Sequence, residues 1–320
     1  MSEVITIGEP VVTFASTEPD VSMADALNWK KILGGAELNV AIGISRLGHS
    51  VDYISQVGTD PFGEYAINTI KSHNVGTKYI SEDSQNWTGH QLKELVTKGD
   101  PKTFNYRTGS AAAHLTSDTI DKVNLDGVKF AHMSGIFPAI SDTARETFKK
   151  LYARINEAGI PTTFDPNLRP SLWGDDEKMI STINDLARNA DIVLPGVEEG
   201  KILMGSSDPE EIADFYLKGE KTHTVIVKIG SKGAFVKTSD GDKYEVGGFK
   251  VDNVVDTVGA GDGFALGVIT ALLEGKTMKS AVLRGNAVGA MQVQTPGDND
   301  GYPDQTKLAD FYNSKGVSEE

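Results

Sequence analysis

The stretch Asp256 to Gly267, DTVGAGDGFALG, sets a carboxylate, Asp262, between two glycines just before an apolar run. A chain turning there from extended backbone into a helix leaves its first N–H groups without intrahelical partners, and such a helix mouth attracts anions. Gly259, Gly261 and Gly263 let a phosphate come close to the backbone, with Asp262 where those amides point. A carboxylate so placed can take a proton from a hydroxyl while the amides hold a phosphoryl group in transit. An ordinary N-capping aspartate is the competing reading, because aspartate is a favoured cap.

Other phosphate and metal signatures fail. A dinucleotide fingerprint needs a third glycine where Phe264 stands, and Gly275-Lys276-Thr277 resembles the end of a Walker A loop but has Thr270 at the required first glycine. DNDG at Asp298 to Gly301 lacks the remaining calcium-loop spacing and reads as a polar turn. The six histidines are scattered, and no structural metal is expected.

The elements that must position such a turn are legible as alternation. Strand-like runs at Val4 to Gly8, Val51 to Gly58, Val128 to Gly135, Ile160 to Asp165, Asp191 to Pro195 and Thr224 to Gly230 alternate with amphipathic segments. The latter include Ala36 to Leu47, Phe62 to His73, Thr143 to Glu157 and Glu177 to Arg188. This pattern predicts one α/β domain over residues 1–320, a doubly wound, mostly parallel sheet flanked by helices, with ligands at the carboxyl ends of its strands. Two polar strand-like segments, 10–31 and 89–107, have no helix of their own and are expected to pair as a small β-sheet lid. Only the tail NSKGVSEE looks frayed.

Composition narrows the function. With 39% hydrophobic residues the 320-residue chain can bury a full core. Its formal charge of −14 argues against non-specific nucleic-acid binding and requires a local cation for any anionic substrate. Without cysteine there are no disulfides, thiolate metal sites or cysteine nucleophiles. The N-terminus lacks a signal-peptide pattern, and no apolar run approaches the ~20 residues of a membrane span. A soluble cytoplasmic protein is expected.

The turn, taken with GGAELNVAIGISRLG at Gly34 to Gly48, resembles the two signatures of the ribokinase-like (phosphofructokinase B type) sugar kinase family, in the right order about two hundred residues apart. The resemblance runs from IGEPVVTF through VKIGSKGAF to RGNAVGAMQVQ. It implies a doubly wound fold with a β lid and an ATP-dependent kinase using Mg²⁺ and, in many members, K⁺. Asp262 would be the catalytic base, with Gly259, Ala260 and Gly261 as the anion hole. Asn167, Arg169, Lys228, Gly230, Ser231, Gly233, Gly259, Gly261 and Asn286 would face the nucleotide. Glu199 matches a glutamate that orders Mg²⁺ indirectly, although Gly196 stands where the family has asparagine. Asp256 resembles a monovalent-cation ligand, or is a solvated aspartate beside the helix.

Within that family, FNYRTGSAA at Phe104 to Ala112 and FDPNLRPSLW at Phe164 to Trp173 look most like 2-keto-3-deoxygluconate kinases. Gly34, Gly35, Asn39, Gln91, Asn105, Arg107, Arg169 and Asp262 are then the expected substrate residues, with Arg107 as the lid cation for the substrate carboxylate. Arginine suits that task because its planar fork binds carboxylates bidentately. Relatives of this type often carry tyrosine where this chain has Gln91 and Asn105, which keeps a fructokinase or another sugar-acid kinase open. A non-catalytic sugar sensor on the same fold is the different-class alternative. Exposed apolar lid residues could pair two copies into a homo-oligomer.

Overall fold

The computed structural model describes residues 2–98 and 101–320. In chain order the strands are β1 (Val4–Ile7), β2 (Val11–Pro19), β3 (Trp29–Gly34), β4 (Val51–Gly58), β5 (Gly76–Asp83), β6 (His90–Leu95), β7 (Thr103–Tyr106), β8 (Phe130–Ser134), β9 (Thr162–Asp165), β10 (Ile192–Val193), β11 (Thr224–Lys228), β12 (Gly233–Thr238) and β13 (Lys243–Gly247). Nine of them form one sheet in the order β13-β12-β11-β10-β9-β8-β1-β4-β5. From β11 through to β5 every pairing is parallel; β12 and β13 add an antiparallel edge.

Alternation along each strand feeds two cores. Val4 packs on one face of the sheet and Ile5 and Ile7 on the other; Ile226 divides from Val225 and Val227 in the same way. The helices begin where the sequence supplies caps. Asp60 accepts from the Phe62 and Gly63 amides with Pro61 in the first turn, and Ser141 accepts from Ala144 N–H.

One helix pair matters most for the site. Ala36–Arg46 packs against Ala260–Leu273 so closely that a Cβ on Gly43 would collide with the Leu266 side chain. Gly43 lies one turn beyond Asn39, and Leu266 one turn beyond Asp262. The missing side chain at Gly43 therefore lets the two helix starts converge at the carboxyl ends of the strands.

The two polar segments form the second sheet, in the order β3-β2-β6-β7, with β2 and β6 parallel. The second segment, 89–107, includes Gly99 and Asp100, which lie outside the described residues. The C-terminal tail differs from expectation. It is tied down by Glu319, whose carboxylate takes Arg284 and Tyr312, and by the Glu320 amide on Ser280 Oγ at 2.8 Å. A charged tail is held here because Arg284 lies buried and needs the carboxylate. Among the described residues no helix is long and apolar enough to cross a membrane.

Candidate active site

At the strands' carboxyl ends lies a cleft of about 650 Å³, roofed by the small sheet and floored by the glycine turn. Asp262 is 8% exposed in its first helical turn. Its Oδ2 accepts from Asn39 Nδ2 at 2.9 Å, and its Oδ1 from Asn167 Nδ2 at 3.2 Å. Burial pushes its carboxyl up to about 7, with Asn39 opposing the rise and nearby Asp165 adding to it. A carboxylate tuned to neutrality can both lose and accept a proton near physiological pH, as a general base requires.

The turn before it is shaped for an anion. Gly259 adopts φ 77°, and a Cβ there would collide with the Asp298 carbonyl. Among the described residues the Gly259 and Gly261 amides have no acceptor, whereas Ala260 N–H contacts Thr257 O at 3.3 Å. Of the three expected anion-hole amides, Ala260 is thus the one already engaged, because the chain tightens into a turn at Thr257.

Opposite the turn, Lys228 Nζ lies 3.0 Å from both oxygens of Asp165. Burial acts to lower the Lys228 pKa, but the Asp165 and Glu199 carboxylates outweigh it and raise it. Glu199 accepts from the Gly196 and Leu168 amides at 2.7 and 3.0 Å, and burial raises its carboxyl pKa. The missing asparagine at Gly196 therefore leaves Glu199 anchored by backbone. Asn167 is held at φ 40° with its amide N–H on Asp165 Oδ1, and Arg169 faces the cleft beside it.

On the sugar side, Gly35, Asn39, Gln91, Asn105, Arg107 and Arg169 all line the cleft. Gln91 and Asn105 are cross-strand partners in β6 and β7, and Gln91 Nε2 donates to Thr13 Oγ1 at 2.9 Å. Arg107 is not a free lid cation. Its Nε pairs at 2.6 Å with Glu9, a fully buried carboxylate that also accepts from Ser110 Oγ at 2.5 Å. Gly34 falls outside the cleft, since its open face is filled by the Asp298 side chain.

A second cavity of about 380 Å³ adjoins the first through Lys228, Gly230, Thr257 and Gly261. Ser231, Gly233 and Asn286, named from the sequence for the nucleotide, line it together with Phe249, Val251, Val254 and Phe264, which sequence reasoning missed. Asn286 spends its amide on the Val246 and Gly247 carbonyls at 3.0 and 3.2 Å. A largely apolar cavity beside a turn with free backbone amides suits a purine base attached to phosphates.

Asp256, expected as a monovalent-cation ligand or a solvated aspartate, is paired within the protein. Its Oδ2 takes Lys93 Nζ and its Oδ1 the Val258 amide, each at 3.0 Å. Among the described residues no cluster of three or more His, Cys, Asp or Glu could hold a metal. Lys93 and Asp165 were not singled out from sequence. Asp165 could have been, as the last residue of a predicted strand; Lys93 is one of many lid lysines until the sheets face each other.

The pattern of the pfkB family carbohydrate kinase matches residues 1–305. A 2-dehydro-3-deoxygluconokinase from Bacillus subtilis is 42% identical over 98% of this chain and 96% of its own. The crystal structure of a PfkB protein from Polaromonas sp. JS666 superposes with a TM-score of 0.88 at 40% identity, covering 97% of this chain and 99% of that one. A fructokinase double mutant from Vibrio cholerae O395, solved with fructose, ADP and potassium, has a TM-score of 0.85 at 27% identity over 97% of this chain and 98% of its own. The chain belongs to the pfkB family of carbohydrate kinases.

Proposed function

We propose that this sugar kinase transfers the γ-phosphoryl group of ATP to 2-keto-3-deoxygluconate, giving 2-keto-3-deoxy-6-phosphogluconate, with Asp262 as general base. The observation that carries the reading is Asp262 itself, a buried carboxylate held by two amides and tuned to about 7 at the mouth of a helix that faces a cleft. The sugar hydroxyl gives its proton to Asp262 as its oxygen bonds to the γ-phosphorus; the bond from that phosphorus to the bridging oxygen of ADP breaks. The free Gly259 and Gly261 amides stabilise the transferring group.

ATP fits the two joined cavities, with adenine among Phe249, Val251, Val254 and Phe264 and the phosphates running past Lys228 and Gly230 towards the turn. Mg²⁺ arrives on the phosphates as part of the substrate, and Glu199, which lines the cleft, would help order it indirectly. The carboxylate of the sugar acid meets Arg107, whose Nε alone is committed to Glu9, and Arg169 completes the local positive charge that an acidic protein needs. The identity of the Bacillus subtilis relative supports this substrate, 2-dehydro-3-deoxygluconate being another name for the same sugar acid. The small sheet acts as a lid within a single kinase domain, and its exposed Leu95, Phe104 and Tyr106 pair two copies. We place the enzyme in the cytoplasm, where ATP is made available, with no nucleic-acid or membrane partner.

A fructokinase reading draws on one specific feature: the Gln91–Asn105 amide pair suits neutral hydroxyls. An ADP-release assay with MgATP across 2-keto-3-deoxygluconate, fructose, ribose and gluconate separates the two. The highest kcat/KM is expected for 2-keto-3-deoxygluconate. Preference for fructose would overturn the sugar-acid assignment, and no turnover with any sugar would favour a non-catalytic sensor.

A further inference from the structure

We infer that Asn299 is a positioning residue that fixes the side-chain amide of Asn39 so that it donates to, rather than faces away from, the Asp262 carboxylate. The inference rests on Asp262 acting as the base. Asn299 lies in the Asp298 to Gly301 turn, far from the glycine turn in sequence and 7% exposed. Its Nδ2 donates to Asn39 Oδ1 at 3.0 Å and towards Leu33 O at 3.4 Å. Asn39, 3% exposed, then has only its Nδ2 to offer Asp262, at 2.9 Å.

An isolated asparagine between two polar groups has two nearly equivalent amide orientations. Here a backbone carbonyl breaks the tie. Leu33 O can only accept, so Asn299 must present its NH₂ group, Asn39 must answer with its oxygen, and the Asn39 NH₂ group is left for the carboxylate. The turn that carries Asn299 is itself braced. Arg46 Nη1 donates to Asn299 O at 2.5 Å, and Gln292, fully buried, links Val258 O and Gly297 O to the Gly301 amide. Tyr302 OH, on the same turn, donates to Gly259 O at 2.7 Å. One loop thus holds both the base's partner and the first glycine of the anion hole.

The charged and titratable groups facing Asp262 are Asp165 and Lys228 from the strand ends, Arg169 after β9, Glu37 beside Asn39, and the buried Tyr302 hydroxyl. None of them donates a hydrogen bond to its carboxylate; Asn39 and Asn167 do. Removing the orientation of Asn39 therefore acts on the proton affinity of the base with no change of net charge.

The test is the pH profile of kcat. Asn299→Ala should move the acidic limb up by about one pH unit, a tenfold loss of ionised base at a given acidic pH, while KM for ATP stays as in the wild type. Asn39→Ala should move the limb similarly, and the Asn39→Ala, Asn299→Ala double variant no further than Asn39→Ala alone. If Asn299→Ala does not fold, Asn299→Leu asks the same question, since leucine has nearly the same size but no donor to hold Asn39 and adds no charge near Asp262. A folded Asn299 variant with an unmoved limb, or additive shifts in the double variant, overturns the inference while Asp262→Asn remains inactive. An active Asp262→Asn overturns the base assignment instead.

Discussion

Lys93 Nζ and Asp256 Oδ2 meet at 3.0 Å, joining β6 of the small sheet to the turn that leads into Asp262. Both side chains are largely shielded, so the pair is screened less than a surface bridge. The ammonium supplies positive charge beside Asp256, the residue the sequence offered as a monovalent-cation ligand. The wild-type rate is therefore expected to be the same in potassium chloride and in choline chloride of equal ionic strength. Lys93→Met should lower kcat and acquire activation by K⁺, read from initial rates in the two salts. Strong K⁺ activation of the wild type with an indifferent Lys93→Met would show that the pair does not stand in for the ion.

Asp262 is expected to set both the pH–rate limb and a pH-dependent cost in stability. Asp262→Asn should lower kcat by ~10²–10⁴-fold while ATP still binds, as measured by turnover and by calorimetric titration. In the wild type kcat/KM should rise through pH about 7, the point to which burial pushes this carboxyl. The stability effect has the opposite sense. Between the ordinary value of 3.8 and about 7 the folded protein keeps a proton that the unfolded chain has released, so this group's contribution falls as pH rises through that window. Asp262→Asn should accordingly melt higher than the wild type at pH 8, with the gap closing towards pH 4.

Arg107→Ala is expected to weaken 2-keto-3-deoxygluconate by about ten- to a hundredfold, the worth of one charge-assisted contact. It also strips the buried Glu9 of its cation, which typically costs ~3–5 kcal/mol of stability. Absolute rates therefore mislead, and the ratio of kcat/KM for the sugar acid to that for fructose is the useful measurement. A ratio unchanged by the substitution would remove Arg107 from carboxylate recognition.

The two glycines of the hole should fail differently. Gly259→Ala forces a methyl into the Asp298 carbonyl at a positive φ and is expected to lower both melting temperature and activity. A Cβ on Gly261 would have its nearest contact, Lys228 Nζ, at 3.6 Å, so Gly261→Ala should fold normally and lose phosphoryl transfer because the methyl stands in the cleft. Melting curves beside kcat distinguish the two. Equal destabilisation of both variants would contradict this division.

Much of this protein was legible in the chain. Six of the seven parallel strands from Val4 to Lys228 and the helices named between them follow from apolar periodicity, a property of neighbours a few residues apart. The two lid segments stood out as polar strand-like runs without helices, whereas β5 (Gly76–Asp83) was not read from the sequence. Asp262 and its glycines announced themselves for the same reason, since a helix start and its anion-binding amides are built from consecutive residues. Asn286, on the face of a late helix, and Gly230, just after a strand, line one cavity.

What the tertiary structure decided is how those charges and amides are spent. Asp298 to Gly301 read as a polar turn, yet its Asn299 reaches Asn39 across 260 positions of sequence. Arg107 read as a lid cation for a substrate carboxylate, and Glu9, 98 residues away, takes its Nε. Asp256 read as a monovalent-cation ligand or a solvated aspartate, and Lys93 reaches it from 163 residues earlier. Local pattern reports which face of an element is buried, because that depends on the repeat of one helix or strand. It cannot report which polar groups become each other's partners, because that depends on how separate elements pack, and in a buried cleft each partner chosen leaves one fewer donor or acceptor for the substrate.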